Sequence, residues 1–336
     1  MRVTADGYEA DARSVTLTAD LVLDIGLRHM TAPPPPSAAI RGTALDGVSD
    51  RALPGVLVRI DGLGETMTAG DGSFELDAAE PEQVRLVTLS SPSTIDRQTQ
   101  LRVPGPPAML SLMPSSLDLV AFDQMFRNSG SLVRWTSAPS IVVQTRVLQY
   151  TNVTDQEYTA TSAAMSDAEV DGLVADLTWA LPQLTGTTFT SFAGVRRETA
   201  SAGERVRVAR TNEIVVARYA GLQAATTFWG YSRWMTSAGE VHSGIMMLDN
   251  GFETSGSPFR RSLRAHELGH ALGYNHVTVR DSVMNSSARL EPNTFDRDGA
   301  RLAFKRPPLN RSPDIDPDMF TPNLRALAEA IWHGAR

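Results

Sequence analysis

Three histidines and one glutamate lie within eleven residues of this chain, at a spacing that a helix and a sharp turn can bring to one point. Residues 266–276 read H-E-L-G-H-A-L-G-Y-N-H, and this segment holds three of the six histidines. Positions four apart share one face of an α-helix, so His266 and His270 can point into one cleft. Gly273 can take a positive φ at no steric cost, and we expect it to end the helix and return His276 toward the other two.

Imidazoles that meet at one point beside a carboxylate predict a metal centre. Three protein ligands and a water molecule are the arrangement of a catalytic zinc ion, whose fourth position stays open. Glu267 follows His266 and projects beside the metal, where it can take a proton from a bound water. We therefore predict one Zn²⁺ ion held by His266, His270 and His276, with Glu267 as the general base.

The residues after the third histidine carry a resemblance to a known family. The long HExxHxxGxxH motif, followed by D-S-V-M-N at residues 281–285, resembles the metzincin peptidases, which have a turn methionine below the metal ligands. The resemblance implies that Met284 is this methionine and that residues 134–308 form an α+β catalytic domain. Ser286 stands where astacin-like enzymes carry a tyrosine, and Val277 fits no common branch. The chain looks most like a bacterial matrixin-like enzyme.

The same resemblance implies a place for the substrate. Residues 243–249 read S-G-I-M-M-L-D shortly before the motif, where the family has an edge strand that pairs with an extended peptide. We accordingly assign Gly244, Ile245 and Met246 to substrate binding, together with Asn285 after the turn methionine. A plain edge strand without this role fits the sequence equally well.

The chain before the catalytic segment predicts an all-β region. Residues 39–114 resemble a carboxypeptidase-regulatory-like β-sandwich of prealbumin or Ig type, through I-R-G-T-A from residue 40, A-L-P-G-V-L-V from residue 52 and G-D-G-S-F from residue 70. Such modules usually act as spacers or scaffolds. The prolines of residues 33–38 predict a stiff linker. Residues 1–32 then form a partial β-module or the tail of a preceding copy.

Two further segments complete the predicted multidomain organisation, in which a β-sandwich precedes the α+β metzincin domain. Residues 115–133 form a connector, with a helix expected at 117–127, and residues 309–336 form a C-terminal tail. The acidic run P-D-I-D-P-D at 313–318 resembles a calcium loop, but it lacks the glycine of an EF-hand, so a Ca²⁺ site there has little support. We expect a short helix at 324–332.

The composition limits the cellular location of the protein and the classes of partner that it can bind. The net charge of −7 argues against nucleic acid or an anionic membrane as a partner, and no apolar run is long enough to span a membrane. The first residues lack the apolar core of a signal peptide, and the chain has no cysteine for a disulfide or a cysteine switch. We predict a monomeric bacterial protein, secreted or in the cell envelope, with its signal sequence absent from this chain.

Two functions of different classes fit these features. The first is a zinc-dependent metalloendopeptidase that hydrolyses peptide bonds of protein substrates through a zinc-activated water, with Glu267 as the base. The alternative is a non-catalytic extracellular binding or adhesion protein that keeps a relict zinc site. The intact set of catalytic positions favours the peptidase.

Overall fold

The computed structural model describes residues 2–3, 11–12, 39–77, 83–103, 105–318 and 329–335. These residues form a mixed α/β, sheet-rich structure with several sheets and few helices. Near the start of the chain, β1 (Arg2–Val3) and β2 (Asp11–Ala12) form an antiparallel pair. The predicted linker at 33–38 and the remainder of the predicted module at 1–32 lie outside the described residues. None of the helices in the described part of the chain is long and apolar enough to cross a membrane.

Two sheets form between residues 39 and 112 and bury a common core. One has the strand order β6-β3-β9 and the other β5-β4-β7-β8. Val58 and Ile60 are buried in the core while Arg59 between them is exposed, because successive side chains of a strand point to opposite faces. The strands are β3 (Ala39–Asp46), β4 (Leu57–Ile60), β5 (Gly64–Met67), β6 (Ser73–Asp77), β7 (Gln83–Ser90), β8 (Arg97–Val103) and β9 (Ala108–Leu112).

A helix and a small hairpin follow these sheets. The helix α1 (Leu119–Phe126) begins at Asp118, whose side chain accepts a hydrogen bond from the Ala121 amide. This confirms the helix expected at 117–127. The hairpin consists of β10 (Arg127–Asn128) and β11 (Ser131–Leu132). The Phe126 ring packs edge-on against Tyr274 with 4.8 Å between centroids, so α1 contacts the segment that contains the histidines.

The remaining strands form one eight-stranded sheet. Its order is β15-β13-β12-β16-β18-β17-β19, with β14 also paired to β12. Strands β12, β14, β16 and β18 run parallel, whereas β13, β15, β17 and β19 are antiparallel to their neighbours. The strands are β12 (Ser140–Gln149), β13 (Glu157–Ala164), β14 (Gly194–Glu198), β15 (Arg205–Arg207), β16 (Glu213–Ala220), β17 (Gly230–Ser237), β18 (Glu240–Asp249) and β19 (Glu329–Ala335).

Both faces of this sheet are buried. Ile141 and Val143 belong to the core that also contains Leu268 and Leu302, whereas Val142 points to a second core with Tyr158. A capping box formed by Ser166 and Glu169 begins α2. The helices are α2 (Asp167–Leu184), α3 (Leu222–Thr226), α4 (Asn250–Thr254), α5 (Arg260–Ala271) and α6 (Thr294–Phe304).

Two sequence-based expectations about strands and helices are wrong. Residues 243–249 lie in a strand, but β18 is paired on both sides, with β16 and with β17, so it is not an edge strand. Ile245 and Met246 are accordingly buried. The helix expected at 324–332 is also wrong where the chain is described, because Glu329–Ala335 forms β19 and pairs with β17. Residues 324–328 lie outside the described residues.

The first part of the predicted C-terminal tail is packed into the protein. Asp314 is fully buried and accepts two hydrogen bonds from Arg306, at 2.6 and 2.7 Å. Asp316 pairs with Arg97 of β8 at 2.7 Å, and Arg127 donates to Asn310. These carboxylates neutralise buried arginines. Because they act as ion-pair partners, they are not free to bind calcium. The segment links β8 to the end of α1.

Candidate metal centre

The first two histidines project from one face of α5. His266 and His270 are both fully buried, and their Nε2 atoms lie 3.1 Å apart. The His276 Nε2 lies 3.1 Å from that of His270 and 3.3 Å from that of His266. Three ring nitrogens therefore converge on one point, and among the described residues this is the group that could hold a metal ion.

Backbone carbonyls fix the orientation of two of the rings. The Nδ1 of His266 lies 2.8 Å from the Val283 carbonyl oxygen, and the Nδ1 of His270 lies 2.7 Å from that of Tyr274. A carbonyl only accepts, so each Nδ1 carries the proton and each Nε2 presents its lone pair to the cluster. Burial lowers the pKa of His276, which also favours the neutral, ligating form.

The third histidine reaches the cluster through a turn at the end of α5. Gly273 has φ +108°, and a Cβ there would lie 3.0 Å from the Val133 carbonyl oxygen, so both the backbone and the space require glycine. The Tyr274 amide donates to the Gly269 carbonyl at 3.0 Å, which closes the last turn. The chain then leads to His276. The chain turns at Gly273, just after the end of the helix, as the sequence predicts.

Met284 lies directly below the helix. A Cβ on Gly269 would fall 2.4 Å from its Sδ, so the absence of a side chain at this position lets the methionine pack against the helix between His266 and His270. The turn that holds it is fixed by Asp296 of α6, which accepts from the Ser282 hydroxyl at 2.5 Å and the Val283 amide at 3.0 Å. The Val283 carbonyl is the one that orients His266.

Asp296 and Ser282 were missed by the sequence reasoning. Asp296 is fully buried, and burial raises its pKa while the hydrogen bonds from Ser282, Asn293 and Val283 oppose the shift. The local signal was present in the capping box of α6, where Asn293 and Asp296 bond reciprocally. The long-range part of the role, support of the turn under the histidines, has no sequence signal of its own.

Glu267 is fully buried next to the histidines. Burial raises the pKa of its carboxyl to about 8. The Ser232 hydroxyl on β17 opposes the shift, but neither carboxylate oxygen makes a hydrogen bond of ordinary geometry to a described residue. A Cβ on Gly230 would lie 2.4 Å from Oε1, so this glycine leaves the space that the carboxylate fills. Gly230 and Ser232 were also missed from the sequence.

The residues assigned to substrate binding are not brought together at the histidines. The Cα of Gly244 packs against Ile214 and Ala271 in the core, and a Cβ on this residue would lie 2.9 Å from Ile214 Cγ1. The Asn285 side chain is used inside the turn, since its Nδ2 donates to the Val277 and Arg280 carbonyls at 2.7 and 3.0 Å. The strand that runs beside Glu267 is β17.

Comparisons with known proteins do not identify a family. No family model matches the chain, and none of the curated proteins matches it. Among solved structures, the chain is similar to the Bacillus anthracis TIE protein, with 9% identity over 62% of this chain and 41% of that chain. The TM-score of 0.20 is too low for this likeness to carry an argument about fold or function.

Proposed function

We propose that this protein is a zinc-dependent endopeptidase of the metzincin type. The single observation that carries the proposal is the convergence of three histidine Nε2 atoms, 3.1 to 3.3 Å apart, beside the buried carboxylate of Glu267. A structural zinc site needs four protein ligands and has no use for an adjacent carboxylate that is not a ligand. A catalytic site uses three ligands and needs such a base.

The donor set fits zinc. Ligands of a tetrahedral Zn²⁺ bound through imidazole at about 2.0–2.1 Å are separated by about 3.3 Å, and the observed nitrogen separations are close to this. Neutral imidazoles oriented by carbonyls through Nδ1 are the usual zinc-binding form. When bound, the ion would supply a water of lowered pKa and polarise the scissile carbonyl.

The protein's own residues supply the proton transfer and the positioning. Glu267 takes the proton from the attacking water and delivers it to the leaving amine nitrogen, a role that needs a carboxylate within hydrogen-bond reach of both. Gly230 and Ser232 set the position of this carboxylate from the neighbouring strand. Met284 packs below the ligands and takes no part in the proton transfer.

The substrate peptide binds along the side of β17 that faces away from β18, which β19 occupies in the free chain. An extended peptide binds by adding a strand to a sheet, and its main-chain bonds give affinity while side-chain pockets give selectivity. β17 begins at Gly230, beside Glu267, so a peptide paired with it passes the proposed catalytic base. We assign residues 285–290, at and after the end of the methionine turn, to one wall of the pocket for the residue after the scissile bond.

The roles of the domains, the substrate class and the cellular setting form part of the same proposal. The two sheets of residues 39–114 act as a β-sandwich spacer or scaffold, and residues 134–308 form the catalytic domain. The substrates are proteins or peptides, and the setting is the bacterial envelope or the secreted fraction. The resemblance of the sequence motifs supports each of these assignments.

The test combines metal content with turnover. Glu267→Ala should lower kcat on labelled casein by about 10²–10⁴-fold while zinc stays bound, because a general base contributes about this much. His270→Ala should lose the zinc and the activity together. Glu65→Ala, which changes an exposed glutamate on β5, is the matched control and should leave both unchanged.

Two results would contradict the proposal. Full activity of Glu267→Ala would remove the base from the mechanism. Stoichiometric zinc without turnover of any peptide in a proteome-derived library would favour a binding protein with a relict metal site.

A further inference from the structure

The outer side of β17 is occupied by another part of the same chain. Seven residue pairs join β17 to β19 in an antiparallel ladder, from Gly230 opposite Ala335 to Thr236 opposite Glu329. β18 occupies the inner side of β17, so the two neighbours use both of its hydrogen-bonding edges. β19 also lies close to α5, the helix that contributes His266 and His270.

The register places one end of β19 beside the metal centre. Gly230 and Ser232 are the β17 residues next to Glu267. Their partners across the ladder are Ala335 and His333. The backbone from 333 to 335 therefore runs past the catalytic base, along the path that an added substrate strand would take.

A peptide and β19 cannot hold this edge together. Each outward N–H and C=O group of a strand serves one ladder, so a second strand binds only after the first has left. The N–H and C=O groups that a substrate needs along residues 230–236 are those that β19 uses.

The chain also keeps β19 near its site. Asp314 and Asp316 are anchored by Arg306 and Arg97, and residues 319–328 are the ten that connect Asp318 to β19. Covalent connection makes the pairing of β19 with β17 an intramolecular event, for which effective concentrations on the order of millimolar are typical. A pairing with an intrinsic Kd below about that concentration is therefore populated in the full chain.

We propose that Glu329–Ala335 is an intramolecular competitor of the substrate, seated on the β17 edge and released when a peptide binds. The role of β19 as a competitor of substrate rests on the proposed function. The pairing of β19 with β17 does not, and it can be measured without turnover. The competitor role predicts that loss of the β19 ladder lowers KM and leaves kcat nearly unchanged, because the site itself is intact.

The test keeps the full chain. Ala330→Pro combined with Ile331→Pro removes two consecutive amide donors, and since consecutive residues point their N–H groups to opposite sides, one of them must face β17. Ala330→Val combined with Ile331→Val keeps both donors and suits a strand, so it is the matched control. Both pairs are made with Glu267 intact and also with Glu267→Ala.

Hydrogen exchange reports the seating without any turnover. In the Glu267→Ala background, alternate amides of Gly230–Ser237 should exchange faster in the proline variant than in the valine control. A labelled peptide with the sequence of residues 329–336 should bind the proline variant and bind the control at least about tenfold more weakly, given the tethered competitor. Equal exchange, or equal peptide binding, would overturn the inference.

Turnover then tests the consequence. With Glu267 intact, the proline variant should have a KM for a peptide substrate about tenfold lower than the control, and the added 329–336 peptide should inhibit it competitively. Unchanged KM with active enzyme would overturn the competitor role. Absence of turnover in every zinc-loaded variant would instead contradict the proposed function, and exchange and peptide binding would still decide the seating.

Discussion

Two fully buried glutamates differ in their surroundings, one on α4 in contact with helix α5 and the other within α5 itself. Glu253 of α4 accepts from Arg264 Nε at 3.2 Å and lies 3.5 Å from Arg218, so two cations neutralise it. Among the described residues no cation pairs with Glu267, and burial raises the pKa of its carboxyl to about 8. Arg264 and Glu267 are less than one turn apart on the same helix, yet the arginine pairs with the other glutamate.

The difference is what we expect if Glu253 is a structural carboxylate and Glu267 has the catalytic role proposed above. A buried carboxylate with two arginines is compensated, and its surroundings need nothing further. A buried carboxylate without a cation costs folding free energy, so its retention is explained by a partner that the folded chain is built to receive. The three histidine nitrogens next to Glu267 are consistent with a cation as that partner.

The largest expected effect comes from exchanging each glutamate for its neutral isostere. Glu253→Gln should lower the free energy of unfolding by about 3–5 kcal/mol, because it leaves buried arginines without their counter-charge. Glu267→Gln in the metal-free protein should not lower it, because no ion pair is lost. Urea denaturation of both variants at pH 7.5, with chelator present, measures the contrast. Equal losses of stability would show that the two sites do not differ in this way.

The sequence predicts the metal centre well because its determinants are local. The spacing of His266 and His270, and the positive φ of Gly273, follow from helix geometry and from glycine itself. Gly230 and Ser232 are more than thirty residues away and meet Glu267 only because β17 pairs with β18. No local pattern marks such contacts, so the sequence reasoning missed them.

Strand neighbours were the weakest part of the sequence reasoning for the same reason. Residues 243–249 have the composition of a strand, but whether a strand lies at an edge depends on what pairs with it. The segment before His333 is rich in alanine and leucine, which favours a helix in isolation. Pairing with β17 overrides this preference over Glu329–Ala335. The resemblance to metzincins predicted an edge strand at residues 243–249, and the strand order of the sheet corrects this prediction.

A smaller effect tests the space that Glu267 occupies. Gly230→Ala would place a Cβ 2.4 Å from Glu267 Oε1, so the carboxylate must move. A displacement near 1 Å at a catalytic group costs up to about 100-fold, and we expect kcat to fall by about 10- to 100-fold with zinc still bound. Gly172→Ala in α2, where a Cβ meets nothing within 4 Å, is the matched control. Parallel losses in both variants, or loss of zinc in Gly230→Ala, would argue against a positioning role.

The smallest effect concerns the exposed end of the Arg218 ion-pair chain. Glu169 accepts from Arg218 at 2.5 Å, and this hydrogen bond, together with those from the Ser166 amide and hydroxyl, lowers the pKa of its carboxyl from 4.5 to about 2. Because the folded-state pKa is depressed, the stabilisation is present above pH 4.5 and is lost as the pH falls toward 2. Glu169→Gln removes this stabilisation. The difference in urea midpoint between wild type and variant should therefore be largest near neutral pH and should disappear as the pH falls from 4.5 to 2. Solvent screening at this partly exposed pair keeps the gap small. A gap that is constant with pH would mean that the glutamate stabilises the fold through its packing and not through its charge.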